Sequence, residues 1–360
     1  MTMTPLLAAI MAGSLVLYVL LAGADYGAGF WDLLSGGPLK EEQKSLIANA
    51  IRPVWEANHV WLILILVLLF AGFPLAFGVI MIALCVPISL MVLGIVLRGS
   101  SFVFRAYSTV NSSTQRTYAY VFSASSSFTP ILAGIVLASL SDDRVSVVRD
   151  ESSNGYLFNW LNPFSISVGV FTLALFAFLA AAYLSAEAPS TELRQAFRRR
   201  ALAAGSISGA LAVENFVLTE RYAASLRTGL LHNNLAHCAE AGAAISLIAG
   251  LTALFRDHAR FARLMAALFA VSIVIGWAAA QYPYLARPDM TVFNSGSSET
   301  VVRAVLFASI AGALVLFPSL ALLLYIFKNQ RKQPPRPSLA FDKTQNGKQS
   351  KESPCPPVPI

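Results

Sequence analysis

Between Trp55 and Trp61 the chain places a carboxylate, Glu56, an amide, Asn58, and an imidazole, His59. The stretch reads IRPVWEANHVWLI and leads directly into the apolar run VWLILILVLLFAGF. Glu56 and His59 are both ionisable side chains. They are three residues apart, so they are neighbours on one face of a helix. Polar groups are costly to insert among apolar side chains, and an ionisable residue inside a membrane span is a functional candidate by default. The plainer alternative is an interfacial helix start. Arg52 and Pro53 suit a first turn, and Trp55 and Trp61 suit an aromatic belt at the membrane surface.

A few other polar residues share this setting. LAGADYGAGFWDLL carries Asp25 and Asp32 seven residues apart, close to two helical turns, so both carboxylates face one side. Asp32 also fits a helix end at the membrane interface, and Asp25 a structural hydrogen bond. Gly23 and Gly27 are four apart and allow another helix to approach closely. In VLRGSSFVFRAY, Arg98 and Arg105 are again seven apart. They fit positive anchoring at the membrane surface. Alternatively, Arg98 pairs with an intramembrane carboxylate, Asp25 or Glu56. Glu214 sits in GALAVENFVLTE, and His237 and Glu240 are three apart in AHCAEAGAAI. The His237–Glu240 pair could supply two metal ligands, but a polar helix–helix contact needs no further partners.

The elements that must position these groups are apolar. Of 360 residues 56% are hydrophobic and only 12% charged, with a mean hydropathy of +0.63. Soluble domains are about 25% charged. Apolar runs fall at 5–33, 53–73, 77–104, 118–140, 163–185, 201–218, 237–255, 264–280 and 301–327, giving nine candidate helices; the sixth and eighth are short. Pro74, in AGFPLAFG, stops or kinks the helix between the second and third. MTMTPLLAAIMAG lacks a basic start and its apolar stretch runs on, so the first segment is expected to stay as a span.

Of the 26 Lys and Arg, only Arg144, Arg149, Arg221, Arg227, Arg287 and Arg303 fall on the side of the N-terminus. The rest gather on the other side, so the N-terminus is expected outside and the C-terminus in the cytoplasm. The net charge of +7 is thereby a matter of topology, and no nucleic-acid partner is implied. The outer connections SLSDDRVSVVRDESSNGYLFNW, TERYAASLRTGLLHNN and YPYLARPDMTVFNSGSSET are too short to fold as domains. Residues 328–360 are Pro-rich and basic and read as a disordered cytoplasmic tail after a transmembrane domain over 1–327. Cys85, Cys238 and Cys355 are scattered and form no metal-ligand spacing. No phosphate-binding loop, GxSxG elbow or HExxH occurs. His59, His232, His237 and His258 are too few within spans for this chain to ligate several haems by itself.

Several motifs, in order along residues 20–300, resemble subunit II of the cytochrome bd-type quinol oxidases. The family's first-span signature ends in Asp-x-Gly-x-Gly, matched by Asp25-Tyr26-Gly27-Ala28-Gly29. Its second-span motif Pro-x-Trp-Asp-Gly-Asn-x-Val-Trp-Leu is matched by PVWEANHVWL, residues 53–62. RGSSFVFR matches the paired-arginine segment, Asn162-Pro163-Phe164 the start of the fifth span, and YPYLARPDMTVFNSGSS an aromatic-proline loop. Ala22 replaces the signature's first Asp, Glu56 the motif's Asp and Ala57 its Gly, while His59 fills its variable position. Such departures suggest a divergent member, near the cyanide-insensitive branch.

The resemblance implies an all-α polytopic protein of the bacterial inner (plasma) membrane. Its nine transmembrane helices would form two four-helix bundles, a pseudo-repeat of about 1–140 and 163–280, with a peripheral ninth helix at 301–327. It implies a homologous subunit I carrying the quinol site and the haems, haem b and haem d (or b), none of them ligated by this chain. A small single-span accessory subunit is a further expected partner, within membrane lipid. The complex would oxidise quinol and reduce O2 to water, this chain supporting the haem pocket and contributing a cytoplasmic proton path. Glu56 and Asp25 would carry protons, Asn58 and His59 would orient water, and Trp55, Trp61, Arg98 and Arg105 would support them. The competing reading is a proton-coupled secondary transporter using Asp25 and Glu56; a third is a purely structural or assembly subunit.

Overall fold

The computed structural model describes residues 3–51, 57–107, 112–143 and 160–330. Among them eight helices are long and apolar enough to cross a membrane, or nine if one bent pair counts as a span. The chain is an all-α, multi-pass membrane protein with a single small β-hairpin among the described residues. It divides into two compact units, residues 1–313 and 314–360.

Helix α1 (Thr4–Leu33) starts with Pro5 in its first turn, where a missing N–H costs nothing. It packs on α3 (Ala57–Gly72), α6 (Ser112–Ser139) and α7 (Pro163–Glu187), while α5 (Cys85–Tyr107) packs on α6. Helix α7 packs on α8 (Thr191–Tyr222), and α10 (Asn234–Phe255) on α11 (Ala259–Gln281). The first four spans and the next four thus form two packed sets, joined where α1 and α6 meet α7 and where α1 meets α11. The last helix, α12 (Glu299–Gln330), adds only Val302 and Leu306 to the buried core of the first unit, and its Phe307 is 76% exposed. In the second unit the same helix continues to Gln330.

Local sequence explains the helix ends. Asn162 caps α7 by accepting from the Ser165 amide at 2.9 Å, and the Ser165 hydroxyl accepts from the Asn162 amide at 3.1 Å. Asn162 Nδ2 also donates to Asp142 Oδ2 at 2.8 Å, tying the end of α6 to the start of α7. Ser190 caps α8 through the Leu193 amide. Inside α6, Pro130 has no N–H to give to the Ser126 carbonyl.

Several segments differ from the sequence expectation. The third run is not one continuous helix, and its span starts at Cys85. It divides at Leu84 into α4 (Pro74–Ala83) and α5, because Pro87 in the first turn of α5 has no N–H to carry the α4 ladder onward. The break at Phe73 and Pro74 bends α3 against α4 by 118°. The sixth span is longer than 201–218, since Arg194, Arg198, Arg199 and Arg200 lower the hydropathy of its first turns without stopping the helix. Two helices lie outside the apolar runs, α2 (Lys40–Ile51) and α9 (Ala224–His232). Helix α2 buries Gln43, Ile47 and Ile51 at i, i+4 and i+8, and Gln43 hides the apolar stripe from a hydropathy reading. Residues 284–286 and 290–291 pair as the antiparallel strands β1 and β2. Most of the connection after α6, and all of the tail after Gln330, lie outside the described residues.

Candidate functional site

The apolar interior of the first four spans holds a buried charge pair. Arg98 Nη2 donates to Asp25 Oδ1 at 2.6 Å. The other carboxylate oxygen, Oδ2, accepts from Asn58 Nδ2 at 2.9 Å. Arg98 Nε donates to Ser126 Oγ at 3.0 Å, and that hydroxyl donates to the Phe122 carbonyl at 2.6 Å. The guanidinium lies 4.6 Å from the centre of the Tyr26 ring and 4.9 Å from that of Phe122, close enough for cation–π attraction on both. Asp25, Asn58, Arg98 and Ser126 are all at most 2% exposed. One anion and one cation therefore compensate each other in a place that water does not reach freely. Four helices contribute: Asp25 and Tyr26 from α1, Asn58 from α3, Arg98 from α5, and Phe122 and Ser126 from α6.

Glycines in DYGAG let these helices come so near. A Cβ at Gly29 would collide with Ser126 Oγ, and one at Gly27 with the backbone carbonyl of Phe176 in α7. A Cβ at Gly23 would press on the Phe176 ring. On α5, one turn before Arg98, a Cβ at Gly94 would meet Thr129 Oγ1 of α6. Here the small residues let backbones approach as in other membrane helix pairs.

A second polar layer follows two turns along α1. Asp32, 4% exposed, accepts from Ser123 Oγ at 3.0 Å. Trp31 Nε1 donates to the Ala177 carbonyl of α7 at 2.8 Å. Arg200, from α8, reaches the Leu34 carbonyl at 3.2 Å and Gln43 Oε1 of α2 at 2.9 Å, with its guanidinium against the Trp31 and Phe197 rings. Ser123 and Ser126 are three apart on α6, so the two layers share one helix face.

The structure thus brings together Asp25, Asn58 and Arg98, and of the two carboxylates weighed for Arg98 it is Asp25 that pairs. Asp32 lies in the last turn of α1, as a helix-end reading has it, but its side chain is buried. Trp61 is 3% exposed and packs inside, so it is not a belt residue. His59 meets the edge of Tyr26, ring centroids 6.4 Å apart. Trp55 and Glu56 lie outside the described residues, as does the side chain of Arg105. Glu214 is exposed on α8, and His237 and Glu240 are not joined by a third ligand: no group of three or more His, Cys, Asp or Glu among the described residues could hold a metal. Tyr26, Phe122, Ser123 and Ser126 were missed as site residues. For the three on α6 the signal is the run FSASSSFT, where Ser123, Ser126 and Thr129 repeat every three residues within an apolar span.

His232, His237 and His258 are exposed at helix ends, and His59 stands beside a ring already occupied by the Arg98 cation.

Comparison with known proteins agrees with this architecture. Over 330 residues the chain is 29% identical to "Putative cytochrome bd menaquinol oxidase subunit II" of Bacillus subtilis (strain 168), covering 86% of this chain and 91% of that one. It is also 26% identical over 161 residues to "Cytochrome bd ubiquinol oxidase subunit 2" of the same organism, covering 45% and 46% of the two chains. Its fold matches a chain of the bd oxidase from Geobacillus thermodenitrificans with a TM-score of 0.70 at 21% identity, over 91% of this chain and 99% of that one. The family model for cytochrome bd terminal oxidase subunit II matches residues 3–327. The oxidase reading therefore stands over the transporter reading, and the chain belongs to the cytochrome bd terminal oxidase subunit II family.

Proposed function

We propose that this chain, as subunit II of a cytochrome bd terminal oxidase, delivers cytoplasmic protons toward the site of O2 reduction while subunit I holds the haems and oxidises quinol. Membership in the family makes the chain part of an oxidoreductase complex with a subunit I partner. Reducing O2 to water consumes one proton per electron. Protons drawn from the cytoplasm, with quinol protons released outside, build a membrane potential without a pump. The N-terminus would face outside and the tail the cytoplasm. A small single-span accessory subunit completes the proposed assembly.

The observation that carries this reading is the buried Asp25–Asn58–Arg98–Ser126 cluster. One of its members, Asn58, follows Glu56 by two residues in the chain. Glu56 is the proton-accepting group at the entrance. Asn58 and His59 orient water beyond it, and Arg98 with Asp25 holds a fixed polar field in the interior.

The test is Glu56→Gln in the purified complex. Gln keeps the shape but does not titrate, so quinol oxidase turnover should fall at least about tenfold, roughly 1.4 kcal/mol on the limiting barrier. Haem content should stay unchanged, and Glu56→Asp should keep much more activity. Normal turnover in Glu56→Gln would overturn the reading. Loss of haem in both variants would make Glu56 structural.

A further inference from the structure

In and around the cluster, polar atoms are shut off from solvent and without hydrogen bonds: Asn58 Oδ1 within it, and His59 Nδ1 and Thr129 Oγ1 nearby. A buried polar atom that nothing meets is costly, and ordered water commonly meets it. His59 differs from the other two. Its Nδ1 is closed off, yet the ring as a whole is only half-buried. Along α3 it heads the stripe Ile63, Leu66 and Phe70, at i+4, i+7 and i+11, which are 58%, 46% and 61% exposed. Asn58, Trp61 and Leu68 make up the opposite, buried stripe.

Inward, the His59 ring meets Tyr26, whose face carries the Arg98 guanidinium, which in turn holds Asp25. Outward, it borders the exposed face of α3. The imidazole thus stands across the wall of the bundle, with one side in the polar cluster. The charged groups that act on it are Arg98 from α5 and Asp25 from α1, with Tyr26 of α1 beside it.

We infer that His59 is the point where protons leave this chain. Beyond orienting water, it takes at Nδ1 a proton that Glu56 releases through ordered water beside the cluster, and gives one up at Nε2 toward the α3 face. Neutral imidazole with its proton on Nε2 has Nδ1 free to accept. When Nδ1 gains a proton the ring becomes a cation, and loss of the Nε2 proton returns it to neutral. One proton enters and one leaves, no electron moves, and exchange of the remaining proton between the nitrogens resets the ring. Imidazole does this because its two nitrogens are separate sites on one ring and its charge changes near neutral pH. The inference rests on the proton-path reading above and adds a second titrating residue to it.

The experiment compares His59→Gln, His59→Glu and Glu56→Gln in the purified two-subunit oxidase reconstituted in vesicles. Haem content, quinol oxidase turnover and the solvent deuterium isotope effect are measured for each. Gln can accept a hydrogen bond but does not titrate, whereas Glu restores a titrating group. We expect His59→Gln to keep its haem, to turn over at least about tenfold more slowly and to show a larger isotope effect, with His59→Glu recovering part of the rate. Turnover of His59→Gln within about twofold of the parent would overturn the inference, as would a His59→Glu no faster than His59→Gln or loss of haem in both. If Glu56→Gln is slow and His59→Gln is normal, only the His59 inference falls. If both turn over normally, the proton-path reading falls with it.

Discussion

Arg98 and Asp25 stand 2.6 Å apart with side chains only 1% exposed, a charge pair enclosed within the first bundle. The pair needs four helices to hold it, since Asn58, Ser126, Tyr26 and Phe122 complete its surroundings. Its energetics are those of a buried ion pair. Breaking it by removing one partner is strongly destabilising, because the other charge is left buried alone.

Arg98→Gln should therefore destabilise the complex by about 3–5 kcal/mol, read as a lower thermal midpoint and reduced haem content. Asp25→Asn combined with Arg98→Gln should be more stable than Arg98→Gln alone, since the second change removes the stranded charge. A double-mutant cycle on thermal stability measures the coupling. Additive effects would show that the two side chains do not depend on each other.

Gly27→Ala should separate α1 from α7, because the new Cβ has to displace a backbone carbonyl, not a flexible side chain. Overpacking of this kind costs about 1–3 kcal/mol or more. Gly13→Ala, at a position with open space around it on the same helix, should leave stability and subunit association unchanged. Size-exclusion profiles and thermal midpoints of the two variants make the comparison.

Asn162→Ala removes both the α7 cap and the bond to Asp142. Loss of the cap alone should cost about 0.5–2 kcal/mol. Asn162→Ser keeps a capping oxygen but cannot reach as far, so it should fall between the parent and Asn162→Ala in thermal midpoint. Equal midpoints for all three would exclude a role for this cap.

Topology is open to chemical labelling. With Cys85 and Cys238 changed to Ser, Cys355 in the tail should react with an impermeant thiol reagent only after the cells are permeabilised. Rapid labelling on intact cells would reverse the orientation that the Lys and Arg distribution implies.

Much of the fold was legible because membrane helices announce themselves one at a time. Each must satisfy its own backbone hydrogen bonds and show an apolar surface, so hydropathy finds it without knowledge of its neighbours. Helices α1, α7, α10 and α12 end within a few residues of the apolar runs. Where charge and apolar character mix, the reading failed locally. The Arg-rich start of α8 and the Gln43 stripe of α2 look polar in sequence, yet tertiary partners make room for them: Arg200 and Gln43 bond each other at 2.9 Å.

The chain by itself determined the all-α membrane class, the positions of most spans and the short set of polar residues placed inside them. Each of these follows from local composition. Only the tertiary structure decided that Arg98 pairs with Asp25, that Ser126 joins them, and that His59 sets its half-buried ring against Tyr26 with Nδ1 closed off from solvent. Those relations join residues far apart in the chain, on α1, α3, α5 and α6. Helix periodicity says which residues share a face, but not which faces meet. That choice was made by packing, where Gly27 and Gly29 let α1 press against α7 and α6, and by the cost of leaving a buried charge without its partner.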